Sequence, residues 1–554
     1  MKKLSLFAAM ATCVLAAPLA AEAPDQTPST ENPLTDRAAL ERDVRILADD
    51  DMEGREAGTP GYDMAAAYVS ERFASLGLQP GGDDGGWEQH FSLVRHSQAG
   101  DARLAIVGAD GSRVKASFGN DFVGGGLASA GGEDGRGRVS APMVFVGYGL
   151  DAPDLGHDSF ADVDLQGKIA VWVFGMPEGM DPLLAMHMQQ AGADRFGARG
   201  AVGSILLFTP TLERRVSWER GRSFVGNTGG TTWVGPDGVA FDRAGDMEFQ
   251  LVASPELSRA IMAGQALDFD AIAVAQAGGM APMRSFELTG EARVSYANSH
   301  EHLLDTSNVI AIQPGTDPSL ADQYVVVTAH LDHVGIQAGH SAENDRLFNG
   351  AMDNASGVAT LLEMARLIAA EPARRPVMFV ALGAEEMGLL GSSYHAANPG
   401  IETGELAVNV NVDMPILTWP FDDVVAFGAD RSNIFPYVGA AVGQYGLKLV
   451  PDPNPGEGFF FRSDQYSYVQ AGIPAVYVDL GFGNGGEEAQ NEFLAEHYHQ
   501  PSDEAFRIDY EQLGRFADIG YLVARNVADM NERPAWLAGD FFGDTFGGPV
   551  VGEE

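Results

Sequence analysis

Two adjacent carboxylates, Glu385 and Glu386, follow the apolar run Pro376–Leu382 and come just before Gly388. Carboxylates crowded together repel, and both stay ionised only where cations or hydrogen-bond donors compensate them. One can then hold a metal ion while the other accepts protons. A solvated Glu-Glu pair at a helix start, where the macrodipole favours acids, is the plainer reading of the dipeptide alone. The rest of the chain argues against it. His330-Leu-Asp332 ends the run Tyr324–Ala329, and Asp413 ends the run Ala407–Val412. Asp353 lies in Asn349-Gly-Ala-Met-Asp353-Asn-Ala-Ser-Gly357, and His499 in His497-Tyr-His-Gln-Pro-Ser-Asp503. Two imidazoles and three carboxylates without a thiolate suit zinc or another borderline divalent ion. Five ligand positions exceed what one catalytic zinc with an open site needs, so two ions sharing a carboxylate fit better.

These residues need elements to position them. Continuous apolar runs suit strands covered on both faces. After about Phe286 strands alternate with helices, which implies an α/β fold with a mainly parallel central sheet flanked by helices. The strands are Asn308–Ile312, Tyr324–Ala329, Val377–Leu382, Ala407–Val412 and Pro474–Val478. Helices are expected at Arg37–Leu47, Tyr62–Leu76, Ala355–Ala370 and Tyr510–Met530. In open α/β sheets, chemistry sits in the crevice beyond the carboxyl ends of the strands, which is where the candidate ligands fall. From about Phe91 to Phe286 the texture is β-rich, with one helix at roughly Pro182–Gly197 and no catalytic cluster. The expected organisation is a leader at 1–23, an N-terminal part of the catalytic domain at 24–135, an inserted domain at 136–285 and the catalytic domain proper at 286–535. The tail at 536–554 is too glycine-rich to assign.

Composition narrows the function classes. At 554 residues two domains are the natural expectation. Lys2-Lys3, the apolar segment Leu4–Leu19 and Ala21-Glu22-Ala23 read as a signal peptide, so the protein is expected to be exported to the periplasm or outside the cell. The single cysteine, Cys13, lies inside that segment, which leaves no disulfide and no thiolate ligand in the mature chain. A net charge of −42 repels nucleic acid and anionic membranes. No later stretch is long enough to span a membrane.

In their order, His330-Leu-Asp332, Asp353-Asn-Ala-Ser-Gly357, Glu385-Glu386, Asp413 and Tyr498-His-Gln-Pro-Ser-Asp503 resemble the M28 family of di-zinc peptidases. The resemblance extends to Glu53-Gly-Arg-Glu-Ala-Gly-Thr-Pro-Gly61, to Arg462-Ser-Asp-Gln-Tyr466 and to Ala471-Gly-Ile-Pro-Ala475. Val144-Phe-Val-Gly-Tyr-Gly149 with Asp164-Leu-Gln-Gly-Lys168 resembles the protease-associated (PA) domain that many members carry as an insertion. The resemblance implies a zinc-peptidase fold of the phosphorylase/hydrolase-like kind and peptide substrates. It also implies that His330 and Asp413 hold one zinc, Glu386 and His499 the other, and that Asp353 bridges them. Glu385 would be the general base toward a metal-bound water, Asp332 would orient His330, and Tyr498 would stabilise an oxyanion. A cis peptide bond is expected at Asp353-Asn354. The activity implied is that of an aminopeptidase. A carboxypeptidase, a dipeptidase, a glutaminyl cyclase and a non-catalytic PA-domain binding protein are the alternatives.

Other features invite plainer readings. His300-Glu-His302 lacks the spacing of a zincin motif and reads as a surface loop. His333 and His497 fall outside the motif register and read as non-ligands. Gly481-Phe-Gly-Asn-Gly-Gly486 matches a dinucleotide pattern, but Glu487-Glu488 follow it and would repel a pyrophosphate.

Overall fold

The computed structural model describes residues 33–552, apart from 131–134, 154–155, 178–179, 181–183, 185–186, 188–191, 226–229, 246, 279–282, 338–344 and 402. The leader read at 1–23 therefore lies outside the described residues, as does half of the helix expected at Pro182–Gly197; Gly192–Ala198 is helical.

Four parallel strands form the centre of the main sheet, in the order Val377–Leu382, Gln323–His330, Glu405–Val412, Ala475–Leu480. Antiparallel neighbours close both sides, with the end of Phe286–Gln313 beside Val377–Leu382 and Asp423–Phe427 beside Ala475–Leu480. The apolar runs are continuous because both faces are covered. Val325, Val327, Ala329, Val377, Phe379 and Ala381 enter one core, while Val326, Met378, Val380 and Leu382 enter the opposite one. Helices Arg37–Leu47, Pro60–Ser75, Ser356–Ala370 and Tyr510–Asp529 pack on the first face. His330 pairs with Leu382 and Thr328 with Asn411 in parallel register. The carboxyl ends that carry the candidate ligands are therefore level with one another.

A second sheet has its own core, built around Phe122, Phe145, Ile205 and Phe249. It contains Arg136–Phe145, Ile169–Val173, Gly203–Leu207 and Phe249–Ala253, joined by Arg103–Val107 and Phe122–Gly126. The 28-residue strand Phe286–Gln313 runs through both sheets. Its first part pairs with Arg136–Phe145, its middle with Glu88–Gln98, and its end with Val377–Leu382. His300 and His302 lie on this exposed arm, in a strand rather than the loop expected of them.

The glycine-rich tail is ordered. Trp536 is fully buried, its indole N–H donates to the Gly472 carbonyl at 2.9 Å, and the helix Phe541–Phe546 packs Phe542 into the same core. The glycines permit this packing. A Cβ on Gly548 would lie 1.9 Å from the Gly472 oxygen and 2.5 Å from the Trp536 Nε1. Sequence composition signals low order here, whereas the glycines serve close approach to an indole. Trp536→Ala should therefore lower stability by about 3–5 kcal/mol, the range for emptying a buried aromatic site. Val551→Ala, at an exposed position of the same tail, should change it little. Chemical denaturation of the two variants checks this, and equal midpoints would contradict the packing described.

Candidate metal centre

Three strand ends and two loops bring the candidate ligands together. His330, the last residue of its strand, is 1% exposed. Its Nε2 lies 2.9 Å from Asp413 Oδ1 and 3.2 Å from Asp353 Oδ1. On the other side of Asp353, Oδ2 lies 3.2 Å from His499 Nε2, which is itself 3.0 Å from Glu386 Oε2. The two oxygens of Asp353 thus face two different imidazoles. His330, Asp353 and Asp413 offer one donor cluster, and His333, Asp353, Glu386 and His499 a second, each with donor atoms within 4.8 Å of one another. Imidazoles and carboxylates without thiolates fit zinc, and the shared Asp353 fits a pair of ions better than one.

Backbone hydrogen bonds hold the carriers in place. Asp353 sits in the irregular turn Ala351–Ala355 before the helix Ser356–Ala370, and its peptide bond to Asn354 is cis. The carboxylate of Asp503 accepts from the N–H groups of Met352 and Asp353 at 2.9 and 3.0 Å. The Asn354 side-chain oxygen accepts from Gly357 and Met414, tying the turn to the segment after Asp413. Asp332 acts differently from the expectation that it would orient His330 through its carboxylate. His330 Nδ1 donates to the main-chain oxygen of Asp332 at 3.1 Å, whereas the carboxylate is 4.0 Å away. That carboxylate instead accepts from the N–H groups of Glu385 and Glu386 at 3.0 and 3.2 Å. Asp332 therefore fixes both the imidazole and the acidic pair.

His333, set apart from the ligands on sequence grounds, lies inside the centre with Nδ1 2.8 Å from Glu386 Oε1. The signal that places it there is not its spacing but the loop in which it lies, where its N–H donates to the Arg55 carbonyl. His497 turns away and contacts Ser502 Oγ at 2.8 Å. The glycine pattern at 481–486 is a turn into the helix Gly486–Glu496, with Gly483 N–H donating to the carboxylate of Asp423. Tyr498 stacks on His499 with ring centroids 4.0 Å apart.

The charges explain why cations belong here. Burial opposes ionisation of Asp353, yet hydrogen bonds from His330 and His499 outweigh it and hold this carboxyl well below its usual range. Burial would lower His499, but hydrogen bonds to Asp353 and Glu386 raise it to about 10. Burial, opposed by the His330 imidazole, pushes Asp332 up to about 7. Glu385 is raised well above the carboxylate range, first by burial and then by the neighbouring Asp413 and Asp464, against the pull of His330. Glu385 and Tyr498 line a cleft of about 220 Å³ over the centre, with Met414, Phe459, Leu494 and Arg462.

Residues 308–524 match the model of Peptidase family M28. Aminopeptidase YwaD of Bacillus subtilis is 27% identical over 235 residues, covering 41% of this chain and 46% of that protein. A probable leucine aminopeptidase 2 of Aspergillus oryzae is 26% identical over 227 residues, covering 40% of this chain and 42% of the other. The alignments thus span about half the length of these relatives or a little less. Among solved structures, an aminopeptidase from Aneurinibacillus sp. strain AM-1 matches with a TM-score of 0.41 at 20% identity, over 91% of this chain and 96% of that one. Over residues 308–524, then, the chain is similar to peptidase family M28.

Proposed function

We propose that the protein is an exported di-zinc aminopeptidase that removes N-terminal residues from peptides. The observation that carries this reading is the pair of oxygens on Asp353, each facing a separate imidazole-carboxylate cluster, with Glu385 beside them in the cleft. His330 and Asp413 would hold one zinc, Glu386 and His499 the other, and Asp353 both, with His333 supporting Glu386. When bound, the ions supply Lewis-acid polarisation of a carbonyl and lower the pKa of water. Glu385 accepts a proton from the attacking water and returns it to the leaving amine, a role that its raised pKa suits. Tyr498, held against His499, can donate its phenolic hydrogen to the oxyanion that develops on the carbonyl. The names of the M28 relatives, aminopeptidases in both cases, favour action at the amino end.

Four outcomes are expected. Glu385→Gln should keep near-normal zinc content and lose about 10²–10⁴-fold in kcat with KM little changed. Glu386→Ala should instead lose or weaken one ion. Metal analysis beside peptidase rates tests both, and substantial activity in Glu385→Gln would refute the assigned base. Peptides with a blocked amino end should resist hydrolysis while peptides with a blocked carboxyl end are cleaved; the reverse pattern would favour a carboxypeptidase. Release of a cyclised product from N-terminal glutamine would favour a glutaminyl cyclase, and no turnover with zinc bound would favour the non-catalytic reading. Because the raised histidines carry protons that zinc must displace, zinc affinity should rise with pH up to about 10. Competition titrations read this directly, and a flat profile would argue against imidazole ligands.

A further inference from the structure

Beneath the metal centre lies Arg55, 1% exposed and, among the described residues, in no ion pair with a carboxylate. All of its observed hydrogen bonds go to main-chain oxygens. Nε donates to Leu331 at 2.9 Å, Nη2 to Gly350 at 2.9 Å, and Nη1 to Asn349 at 2.7 Å and Leu47 at 2.5 Å. Leu331 stands between His330 and Asp332, and Gly350 is the residue on which the turn carrying Asp353 begins. One planar guanidinium therefore spans both ligand-bearing loops and the end of the helix Arg37–Leu47.

The backbone around Arg55 reinforces the bridge. Glu53, Gly54 and Arg55 take φ values of 51°, 69° and 52°, a left-handed run that residues with side chains adopt only where their surroundings enforce it. A Cβ at Gly54 would lie 2.5 Å from the Phe348 oxygen and 2.9 Å from Gly335 Cα, so this turn is pressed between the two loops. Main-chain bonds from His333 to the Arg55 oxygen and from Gly335 to the Gly54 oxygen complete the clamp. Burying a guanidinium is unfavourable, and burial lowers this one to about 10 against the fields of Asp503, Asp353 and Asp332. A residue serving the fold alone could fill the same space with an apolar side chain.

We propose that Arg55 is a positioning residue that sets the separation of the His330 and Asp353 loops and thereby the affinity of the centre for its divalent ions. The proposal rests on the di-zinc reading above. Lysine is not an equivalent, because a compact ammonium cannot reproduce a rigid fork that meets three segments at once.

The test uses the full-length protein stripped of metal. Zinc dissociation constants of wild type, Arg55→Lys and Arg55→Gly are measured by chelator competition, with melting of the stripped proteins recorded in parallel. Both variants should bind zinc about 10–100-fold more weakly, the scale for groups that orient metal ligands. Free guanidinium at low concentration should restore affinity to Arg55→Gly and leave wild type unchanged. Should Arg55→Gly fail to fold, Arg55→Lys carries the test. A folded Arg55→Lys that melts earlier but keeps wild-type zinc affinity would overturn the proposal and leave Arg55 a residue of the fold. Glu386→Ala is measured alongside: unchanged zinc binding there would refute the metal centre itself, whatever Arg55 does.

Discussion

Everything in this structure turns on a concentration of negative charge that the protein cannot neutralise by itself. Asp332, Asp353, Glu385, Glu386 and Asp413 converge at the carboxyl ends of adjacent strands, and their nearest cationic partners are imidazoles. Without ions, protons take the compensating role, which is why His330 and His499 are raised while Asp353 stays low. Such a cluster is poised to exchange protons for divalent cations. The parallel register makes the convergence possible, because it brings strand ends from distant parts of the chain level with one another.

Convergence alone would not hold like charges at fixed separation. Main-chain groups do that. Asp503 binds the turn that carries Asp353, Asp332 binds the backbone of Glu385 and Glu386, and Asn354 binds both its own helix and the segment after Asp413. Each of these side chains fixes the path of the backbone instead of touching a ligand atom. The turn and the acidic pair are thus held through peptide groups, while the carboxylates of Asp353, Glu386 and Asp413 face the imidazoles.

The sequence made the strands legible because both faces of the sheet are buried, so each appears as an unbroken apolar run ending in a polar residue. The helix Ser356–Ala370 was legible because its apolar residues recur at helical spacing. The candidate ligands were legible because strand ends in such sheets are where chemistry collects, and the ordered motif fixed their register. What escaped depends on loop paths. His333 enters the centre only because its loop bends around the turn at 53–55, and the carboxylate of Asp332 turns toward the acidic pair because Glu385 and Glu386 expose their N–H groups there. The tail escaped because glycine marks flexibility and close packing alike, and only the position of Trp536 tells them apart. The exposed histidines at 300 and 302 looked like loop residues because an arm joining two sheets has little of the burial pattern that reveals a strand.

The contrast between Glu385 and Glu386 shows how position separates identical residues. Their N–H groups share one acceptor, Asp332, and Ala384 before them has a φ of 58°, so the chain turns sharply as it leaves the strand. Beyond that turn Glu386 meets His333 at 2.8 Å and His499 at 3.0 Å, and burial is outweighed so that its pKa falls. Glu385 faces the cleft, where burial and the carboxylates of Asp413 and Asp464 raise it. One acid is held ionised by the donors it meets, and the other is left more basic, which is the difference on which the proposed roles rest. The same acidic crowding that holds one of these carboxyls low raises the other, and the two differ because the backbone that Asp332 holds aims them at different neighbours.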